Sequence, residues 1–243
     1  AVKAVHQFFF HTAQTIEVFA FGAGTIGGTM IDQIYQQHDK LLKENVDIKV
    51  LAITTIDGMI LREDGIDLSN WRDQMKTPDF PFGPQNVDDI IKFVKEKKPL
   101  NPVFVDCTAS YDLPERYLDI LNAGMSIATP NKRANSMDIK FYHELRRTAN
   151  KMHRRFLYET NVGAGLPIID TLQNLYKSGD KLESFNGIMS GSLSYIFGKL
   201  DEGVKFSQAV KEAKELRYTE PDPRDDLEGK DVARKALIIA RES

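Results

Sequence analysis

Residues 16–42 read "IEVFAFGAGTIGGTMIDQIYQQHDKLL", and this stretch decides the fold class. Its first six residues form a short apolar, β-branched and aromatic run typical of a buried strand, and from Ile26 the apolar residues recur at helical spacing. The glycine-rich "GAGTIGG" (22–28) lies between them, and a second strand pattern, "IKVLAIT", follows at 48–54. This order predicts a β-α-β unit.

The glycine turn has the pattern G-x-G-x-x-G at Gly22, Gly24 and Gly27. The first glycine permits a tight turn, the second lets a pyrophosphate approach the backbone, and the third lets the helix pack closely on the strand. Thr25 and Ile26 begin the helix whose N-terminus would face the phosphates. A preceding strand and a following helix supply the context in which this pattern predicts dinucleotide binding.

The end of the second strand leaves the choice of cofactor open. An acid is expected there to bind the ribose 2′-hydroxyl of NAD, whereas an arginine would accommodate the 2′-phosphate of NADP. The chain has "TTID", beginning at Thr54, so no arginine is present and Asp57 comes one or two positions late. Both NAD and NADP remain candidates, and Thr54 at this strand end is a candidate cofactor contact.

Strand and helix patterns continue to alternate as far as residue 160, which predicts a doubly wound, Rossmann-type parallel sheet with helices on both faces. Residues 1–15 are interpreted as a linker or docking segment, and the proline- and glycine-rich region 59–88 as a surface insertion with one short helix. A second domain, 161–243, is predicted to be mixed α/β, with a strand at "KLESFNGIMSG" (181–191) and several helices.

Composition limits the classes of function. The 243 residues are 42% hydrophobic, which is enough for a sizeable core, and carry a net charge of −3. Lysine and arginine are scattered, which disfavours nucleic acid and anionic membranes as partners. No apolar run is long enough to span a membrane and no signal peptide is present, so a cytoplasmic location is expected.

The single cysteine, Cys107, excludes an internal disulfide and a cysteine-based metal cluster. It follows a predicted strand, where it could act as a nucleophile. No histidine lies nearby in the sequence to deprotonate it, so a small buried residue is the favoured interpretation.

The stretch "YTEPDPRDDLEGKDVARK" (218–235) is dense in charge. Asp231 and Lys235 are four residues apart and therefore project from one helical face, where they would form either an ordinary surface ion pair or part of a catalytic pocket. Glu220, Asp222 and Asp226 add carboxylates nearby, and this excess suits a cationic amine ligand. Asp226 or its neighbour is expected to cap a helix beginning near Leu227.

The same stretch resembles the substrate signature of the homoserine dehydrogenases. "YETNVGAGLPIIDTL" (158–172) and "GIMSGSLSYI" (187–196) are similar to that family's other two motifs, in the same order. The resemblance runs from about residue 16 to the end, and "HQFFFHTAQTIEVFAFG" (6–22) resembles the junction in bifunctional aspartokinase–homoserine dehydrogenases. It implies NAD(P)-linked interconversion of L-homoserine and L-aspartate 4-semialdehyde, an aspartokinase domain in the parent chain, and a homodimer or larger oligomer.

The resemblance also implies roles for individual residues. Lys235 would donate and accept the proton at the substrate oxygen, and Asp231 would also contact that oxygen and orient the lysine. Further residues are implied in contacts with substrate or cofactor: Glu220 and Asp226 at the substrate ammonium, Tyr218, Gly191 and Ser192 near the substrate, and Thr108 and Lys132 at the cofactor.

A monovalent cation site, with sodium as the favoured ion, is implied in "ETNVGAGL" (159–166). Its ligands would be the Glu159 carboxylate and the carbonyls of Val162, Ala164 and Leu166, since a hard ion prefers oxygen. Without the resemblance, a plain glycine turn would be the simpler interpretation.

Family members continue past Ser243, so the resemblance predicts a second domain truncated at its C-terminus and leaves open whether this fragment is active. Two alternatives stay open: an acylating semialdehyde dehydrogenase with Cys107 as nucleophile, and a non-catalytic nucleotide-binding or dimerisation module.

Overall fold

The computed structural model describes residues 13–83, 85–219 and 222–243, without the side chain of Gln85. Most of the predicted linker, residues 1–12, and the predicted substrate ligand Glu220 lie outside the described residues. The chain divides into two compact units, unit 1 up to Tyr158 and unit 2 from Glu159. The functions assigned to the two domains from the sequence stay predictions.

Unit 1 alternates strands and helices, which confirms the predicted α/β class. Its elements are β1 (Gln14–Phe21), α1 (Thr25–Lys43), β2 (Val46–Thr54), β3 (Met59–Leu61), α2 (Trp71–Gln74), α3 (Gln85–Lys97), β4 (Pro102–Asp106), α4 (Tyr117–Asn122), β5 (Ser126–Ala128), α5 (Arg133–Ser136), α6 (Ile139–Lys151) and β6 (Phe156–Leu157).

The six strands form one sheet in the order β3-β2-β1-β4-β5-β6, and all of them except β3 run parallel. The chain leaves β1 toward β2 on one side and returns to β4 on the other. The carboxyl ends of β1 and β4 therefore flank a topological switch point, where ligands bind in open α/β sheets.

The antiparallel strand β3 was not predicted, because the region after residue 58 was interpreted as an irregular insertion. It is only three residues long and pairs Thr54 with Met59. Gly58 lies between them at φ +153°, a backbone conformation that favours glycine.

Alternate side chains of β1 enter cores on the two faces of the sheet. Phe19 and Phe21 pack with residues of α3, α4 and α6 on one face. Val18 and Ala20 pack with Ile31 of α1 on the other. The sheet therefore has a packed hydrophobic core on each face.

Unit 2 is helical in its described residues. It contains α7 (Ile168–Lys177), α8 (Gly191–Asp201), α9 (Phe206–Glu215), α10 (Pro223–Leu227) and α11 (Lys230–Glu242). The strand predicted at 181–191 is wrong, since residues 181–190 have no regular structure. A strand needs a partner to satisfy its backbone groups, and the described part of unit 2 offers none.

The helix predicted from Leu227 is two helices, and its predicted cap is wrong. Asp222, rather than Asp225 or Asp226, caps α10 by accepting a hydrogen bond from the Arg224 amide. Gly229, at φ +70°, then turns the chain into α11. Among the described helices, none has the length and apolar character to cross a membrane.

Candidate active site

The glycine loop is closed by backbone contacts. The amides of Gly22 and Ala23 both donate to the carbonyl of Thr54, at 2.9 and 3.2 Å. Gly22 has φ +86°, and a Cβ added to Gly27 would lie 2.0 Å from the Gly22 carbonyl oxygen. Two glycines are therefore required by the turn and by the close approach of α1 to β1.

The outer rim of the loop is open. A Cβ added to Gly24 would meet nothing within 4 Å, and Thr25 and Ile26 are exposed. These residues begin α1, and the amides of a first helical turn have no intrahelical partner. The rim therefore presents N–H donors and a positive helix end, which fit a pyrophosphate.

Thr54 lies beneath this rim rather than on it. Its side chain is 1% exposed, and its hydroxyl oxygen has no hydrogen-bond partner within the described residues. Its carbonyl holds the glycine loop. Thr54 therefore supports the predicted cofactor site through its backbone.

A buried acid that was not predicted organises the other side of the switch point. Asp106 ends β4 and is completely buried. It accepts hydrogen bonds from the backbone amide and the hydroxyl of Thr108, both at 2.7 Å, from the Tyr117 hydroxyl at 2.5 Å, and from the side-chain amide of Asn131 at 3.2 Å. Burial raises the pKa of Asp106, against the lowering effect of these hydrogen bonds.

The Asp106 network holds two predicted cofactor residues in place. Thr108 is bonded to it directly, and its Cγ2 would lie 2.7 Å from a Cβ added to Gly22. Lys132 follows Asn131, whose side chain also accepts from the Arg133 amide at 3.0 Å. The structure thus brings Gly22 and Thr108 together. An acid at the end of a buried strand was the signal that could have revealed the network.

Cys107 is a poor nucleophile. Burial and then the neighbouring Asp106 carboxylate raise the pKa of its thiol to about 11. Because the thiolate is the reactive form, very little of it exists at neutral pH.

The predicted Lys235–Asp231 pair is formed in unit 2. Lys235 Nζ lies 2.6 Å from the Asp231 carboxylate, and the two side chains are only 19% and 17% exposed. Nζ also donates to the carbonyl of Met189 at 2.7 Å. This pair is more enclosed than an ordinary surface ion pair, and two acceptors fix the ammonium group.

Two further predicted residues of unit 2, Ser192 in α8 and Asp226 in α10, are hydrogen-bonded to each other. Ser192 is buried and donates to the Asp226 carboxylate at 2.7 Å, and Asp226 is 7% exposed. Ser190, which caps α8, lies 3.0 Å from the Ser192 hydroxyl. The short segment 189–192, which includes Gly191, therefore contacts both Lys235 and Asp226.

Tyr218 and Asp222, which the sequence also suggested near the substrate, have partners other than the Lys235–Asp231 pair. Tyr218 is 54% exposed and stacks edge-on with Tyr195. Asp222 is engaged in its helix cap and with Arg224, whose hydrogen bonds lower the pKa of that carboxyl to about 2. Asp222 therefore adds less free negative charge than the sequence implied.

The predicted cation loop stabilises the N-terminus of α7. Both oxygens of the Glu159 carboxylate accept backbone amides of the first turn of α7, from Ile169 at 2.9 Å and Asp170 at 2.8 Å. Ala164 has φ +51°, and the Leu166 carbonyl accepts from the Ile168 amide at 2.9 Å. A monovalent cation site at these oxygens and the Val162 carbonyl stays a prediction, based on their oxygen-only chemistry.

Comparison with known proteins gives two family matches. Residues 22–159 match the homoserine dehydrogenase NAD-binding domain, and residues 167–243 match the homoserine dehydrogenase domain. A bifunctional aspartokinase/homoserine dehydrogenase of Haemophilus influenzae is 47% identical over the whole chain, which covers 29% of that protein. A homoserine dehydrogenase of Schizosaccharomyces pombe is 37% identical over 93% of the chain, covering 61% of its own length.

The structure is also similar to a hyperthermophilic archaeal homoserine dehydrogenase in complex with NADPH, with TM-score 0.73, 27% identity, and coverage of 95% of this chain and 70% of that one. This chain spans less than a third of the length of the bifunctional relatives that it matches. The glycine loop lies within the first family match and the Lys235–Asp231 pair within the second. This chain therefore belongs to the homoserine dehydrogenase family.

Proposed function

We propose that this chain contributes to the NAD(P)-dependent interconversion of L-homoserine and L-aspartate 4-semialdehyde. The observation that carries the proposal is the enclosed Lys235–Asp231 pair, which has the Asp226–Ser192 contact near it in the fold of unit 2. A base, its orienting acid and a second buried acid suit an amino-alcohol substrate.

Lys235 acts as the general base and general acid at the substrate hydroxyl. The Asp231 carboxylate and the Met189 carbonyl fix the position of the Lys235 side-chain nitrogen. As a general base, Lys235 would take the hydroxyl proton when the alcohol is oxidised, and as a general acid it would return that proton in the reverse reaction. When bound, the nicotinamide ring supplies the acceptor or donor of the hydride. Gly24, Thr25 and Ile26 at the open rim, with Thr108 and Lys132, would hold that cofactor.

Asp226 binds the substrate ammonium, together with Glu220 by the family resemblance. The Asp226 carboxylate is buried and accepts from Ser192, and because a carboxylate can accept several hydrogen bonds at once, it could also accept one from an ammonium group. Gly191 and Tyr218 would complete the substrate contacts. The Glu159 loop, with its carbonyls at Val162, Ala164 and Leu166, would hold a monovalent cation such as sodium and so stabilise the entry to α7.

The rival acylating mechanism is disfavoured by Cys107, because a thiol with a pKa of about 11 is a weak nucleophile at neutral pH. The non-catalytic module is disfavoured by the enclosure of Lys235, since a lysine of no chemical use is normally solvated.

The bifunctional relatives support an aspartokinase domain in the natural protein, and the oligomer and its location are further parts of the proposal. We propose that the natural protein joins this chain to an aspartokinase domain, as the bifunctional relatives do, and that it acts as a homodimer or larger oligomer in the cytoplasm. Size measurement of the natural protein in solution, with a kinase assay, tests this part separately.

The main test is homoserine-dependent reduction of NAD⁺ and NADP⁺, followed by nicotinamide absorbance, in this chain and in a chain extended past Ser243. We expect turnover in the extended chain. Cofactor binding without turnover, in a folded extended chain, would favour the non-catalytic module instead.

A further inference from the structure

Two loops follow neighbouring strands at the carboxyl edge of the sheet. The β4 loop, residues 107–112, contains Thr108, and the β5 loop, residues 129–132, contains Lys132. The loops begin next to each other because β4 and β5 pair in parallel. Thr108 and Lys132 are both half-buried, and the proposed function places both at the cofactor.

The Asp106 carboxylate joins these two loops. Its Oδ1 accepts the backbone amide and the hydroxyl of Thr108 in the β4 loop, both at 2.7 Å. Its Oδ2 accepts the side-chain amide of Asn131 in the β5 loop at 3.2 Å, and the Tyr117 hydroxyl of α4 at 2.5 Å. Each loop is therefore attached to a different oxygen of one completely buried carboxylate.

Asn131 carries this attachment to the residues around Lys132. Its Nδ2 also donates to the Ser110 carbonyl of the β4 loop at 3.0 Å, and its Oδ1 accepts the Arg133 amide at 3.0 Å. The peptide that follows Lys132 is thus held by the side chain that precedes it. The Arg133 guanidinium lies 3.1 Å from the centre of the Tyr111 ring, which joins the start of α5 to the β4 loop a second time.

The β4 loop also lies against the glycine loop. A Cβ added to Gly22 would lie 2.7 Å from Thr108 Cγ2, and the Cys107 amide donates to the Phe21 carbonyl at 2.8 Å. A displacement of the β4 loop would therefore change the shape of the switch point, where the cofactor is expected.

We infer that Asp106 is a positioning residue for the cofactor: its two oxygens hold the β4 and β5 loops in one arrangement, so that Thr108 and Lys132 contact the cofactor together. The inference rests on the proposed function and adds to it a residue that, being buried, does not touch the cofactor. A carboxylate is needed because this arrangement uses two acceptor atoms, whereas a side-chain amide has only one. Binding residues keep their geometry only when such supporting contacts are satisfied.

The test combines calorimetry of NAD⁺ and NADP⁺ with steady-state homoserine oxidation in the natural full-length protein. In Asp106→Asn we expect the cofactor that the wild type binds better to bind at least about tenfold more weakly, with KM for homoserine at saturating cofactor within about twofold of wild type. A merely structural role would lower the binding stoichiometry, through loss of folded protein, and leave the dissociation constant unchanged.

Two further variants separate positioning from stability. Ile120→Val is the matched control, because it removes a methyl group from the completely buried core of α4 without touching the Asp106 hydrogen bonds, and it should keep the wild-type dissociation constant. Asn131→Ala removes the link to the β5 loop and leaves the acid in place. It should weaken cofactor binding by a factor similar to that of Asp106→Asn.

An unchanged dissociation constant in Asn131→Ala or in folded Asp106→Asn, or an equal loss in Ile120→Val, would overturn the inference. If Asp106→Asn does not fold, Asn131→Ala decides the question. The two proposals fail separately, since binding is measured without turnover. Turnover with unchanged dissociation constants rejects the role of Asp106 alone, whereas the expected binding losses without homoserine oxidation by the wild type reject the proposed reaction alone.

Discussion

The two units build their candidate sites by different means. In unit 1 the cofactor edge is made by backbone: glycines, a strand carbonyl and helix amides, held over cores on both faces of a parallel sheet. In unit 2 the reactive groups are side chains on helices. One hydrophobic cluster among its described residues consists of Ile196, Ala209 and Ala213, all fully buried.

This difference indicates which substitutions each region tolerates. A backbone-built site depends on close packing, so changes of shape should affect stability and binding together. A site built from charged side chains depends on the chemical group, so changes of charge should affect the rate with less effect on folding. The following predictions test this contrast.

The largest expected effect is on the unit 2 pair. Lys235→Ala in the extended chain should lower kcat by about 10²–10⁴-fold, because the proton transfer loses its general base. Steady-state homoserine oxidation measures it. Lys230→Ala is the matched control on the same helix, where an exposed lysine pairs with Asp225 and Glu228, and it should keep the wild-type kcat. A wild-type kcat in Lys235→Ala would contradict the assignment.

The next effect compares two glycines of one loop. Gly27→Ala should lower the free energy of unfolding by about 1–3 kcal/mol or more, because the new methyl overlaps the Gly22 carbonyl. Gly24→Ala meets nothing within 4 Å and should leave stability unchanged, but it should weaken NAD⁺ binding by at least about tenfold. Urea unfolding and calorimetry separate the two. Equal losses of stability in both variants would contradict the assignment of close packing to Gly27 and of cofactor approach to Gly24.

A smaller effect concerns the pH dependence of unit 1. Since burial raises the pKa of Asp106 in the folded state above its unfolded value of about 3.9, the folded chain holds the proton over a range where the unfolded chain has lost it. This contribution to the free energy of unfolding is present below about pH 4 and is lost as the pH rises through the folded pKa.

Asp106→Asn should therefore remove that loss with rising pH. It should also lower the free energy of unfolding by about 1–3 kcal/mol, because the new amide group faces donors of the network. Urea unfolding from about pH 4 to about pH 8 measures both effects. Asp112→Asn removes an exposed acid nearby and should reproduce the wild-type profile. A wild-type profile in Asp106→Asn as well would show that Asp106 does not titrate over this range.

The smallest effect is expected at Cys107. Cys107→Ser should change kcat less than about twofold, because the partly buried thiol takes no part in the proposed reaction. A loss of activity as large as that of Lys235→Ala, in a folded variant, would instead revive the acylating mechanism.

Much of unit 1 could be predicted because its signals are local. A strand, a glycine turn and a helix each have their own residue spacing, and β1, α1, β2 and β4 lie close to the predicted positions. The short β3 escaped prediction, since three residues carry too little periodicity. In unit 2, "KLESFNGIMSG" has the composition of a strand, but composition does not supply the partner that a strand requires.

The candidate site shows the same limit. The spacing of Asp231 and Lys235 predicted that they would meet, because four residues form about one helical turn. It did not predict Met189 as the second acceptor, since that contact joins residues 46 positions apart. The Asp106 network was missed for the same reason: Asn131 and Tyr117 reach it from separate elements.

By itself, the sequence determined the α/β class of this chain, its glycine loop and the pairing of Asp231 with Lys235, because each depends on neighbours within a few residues. Only the tertiary structure decided which polar groups are buried, which carboxylates are already hydrogen-bonded, and that the Thr54 carbonyl closes the glycine loop. Those properties depend on contacts between distant segments, and burial and charge pairing act through space rather than along the chain.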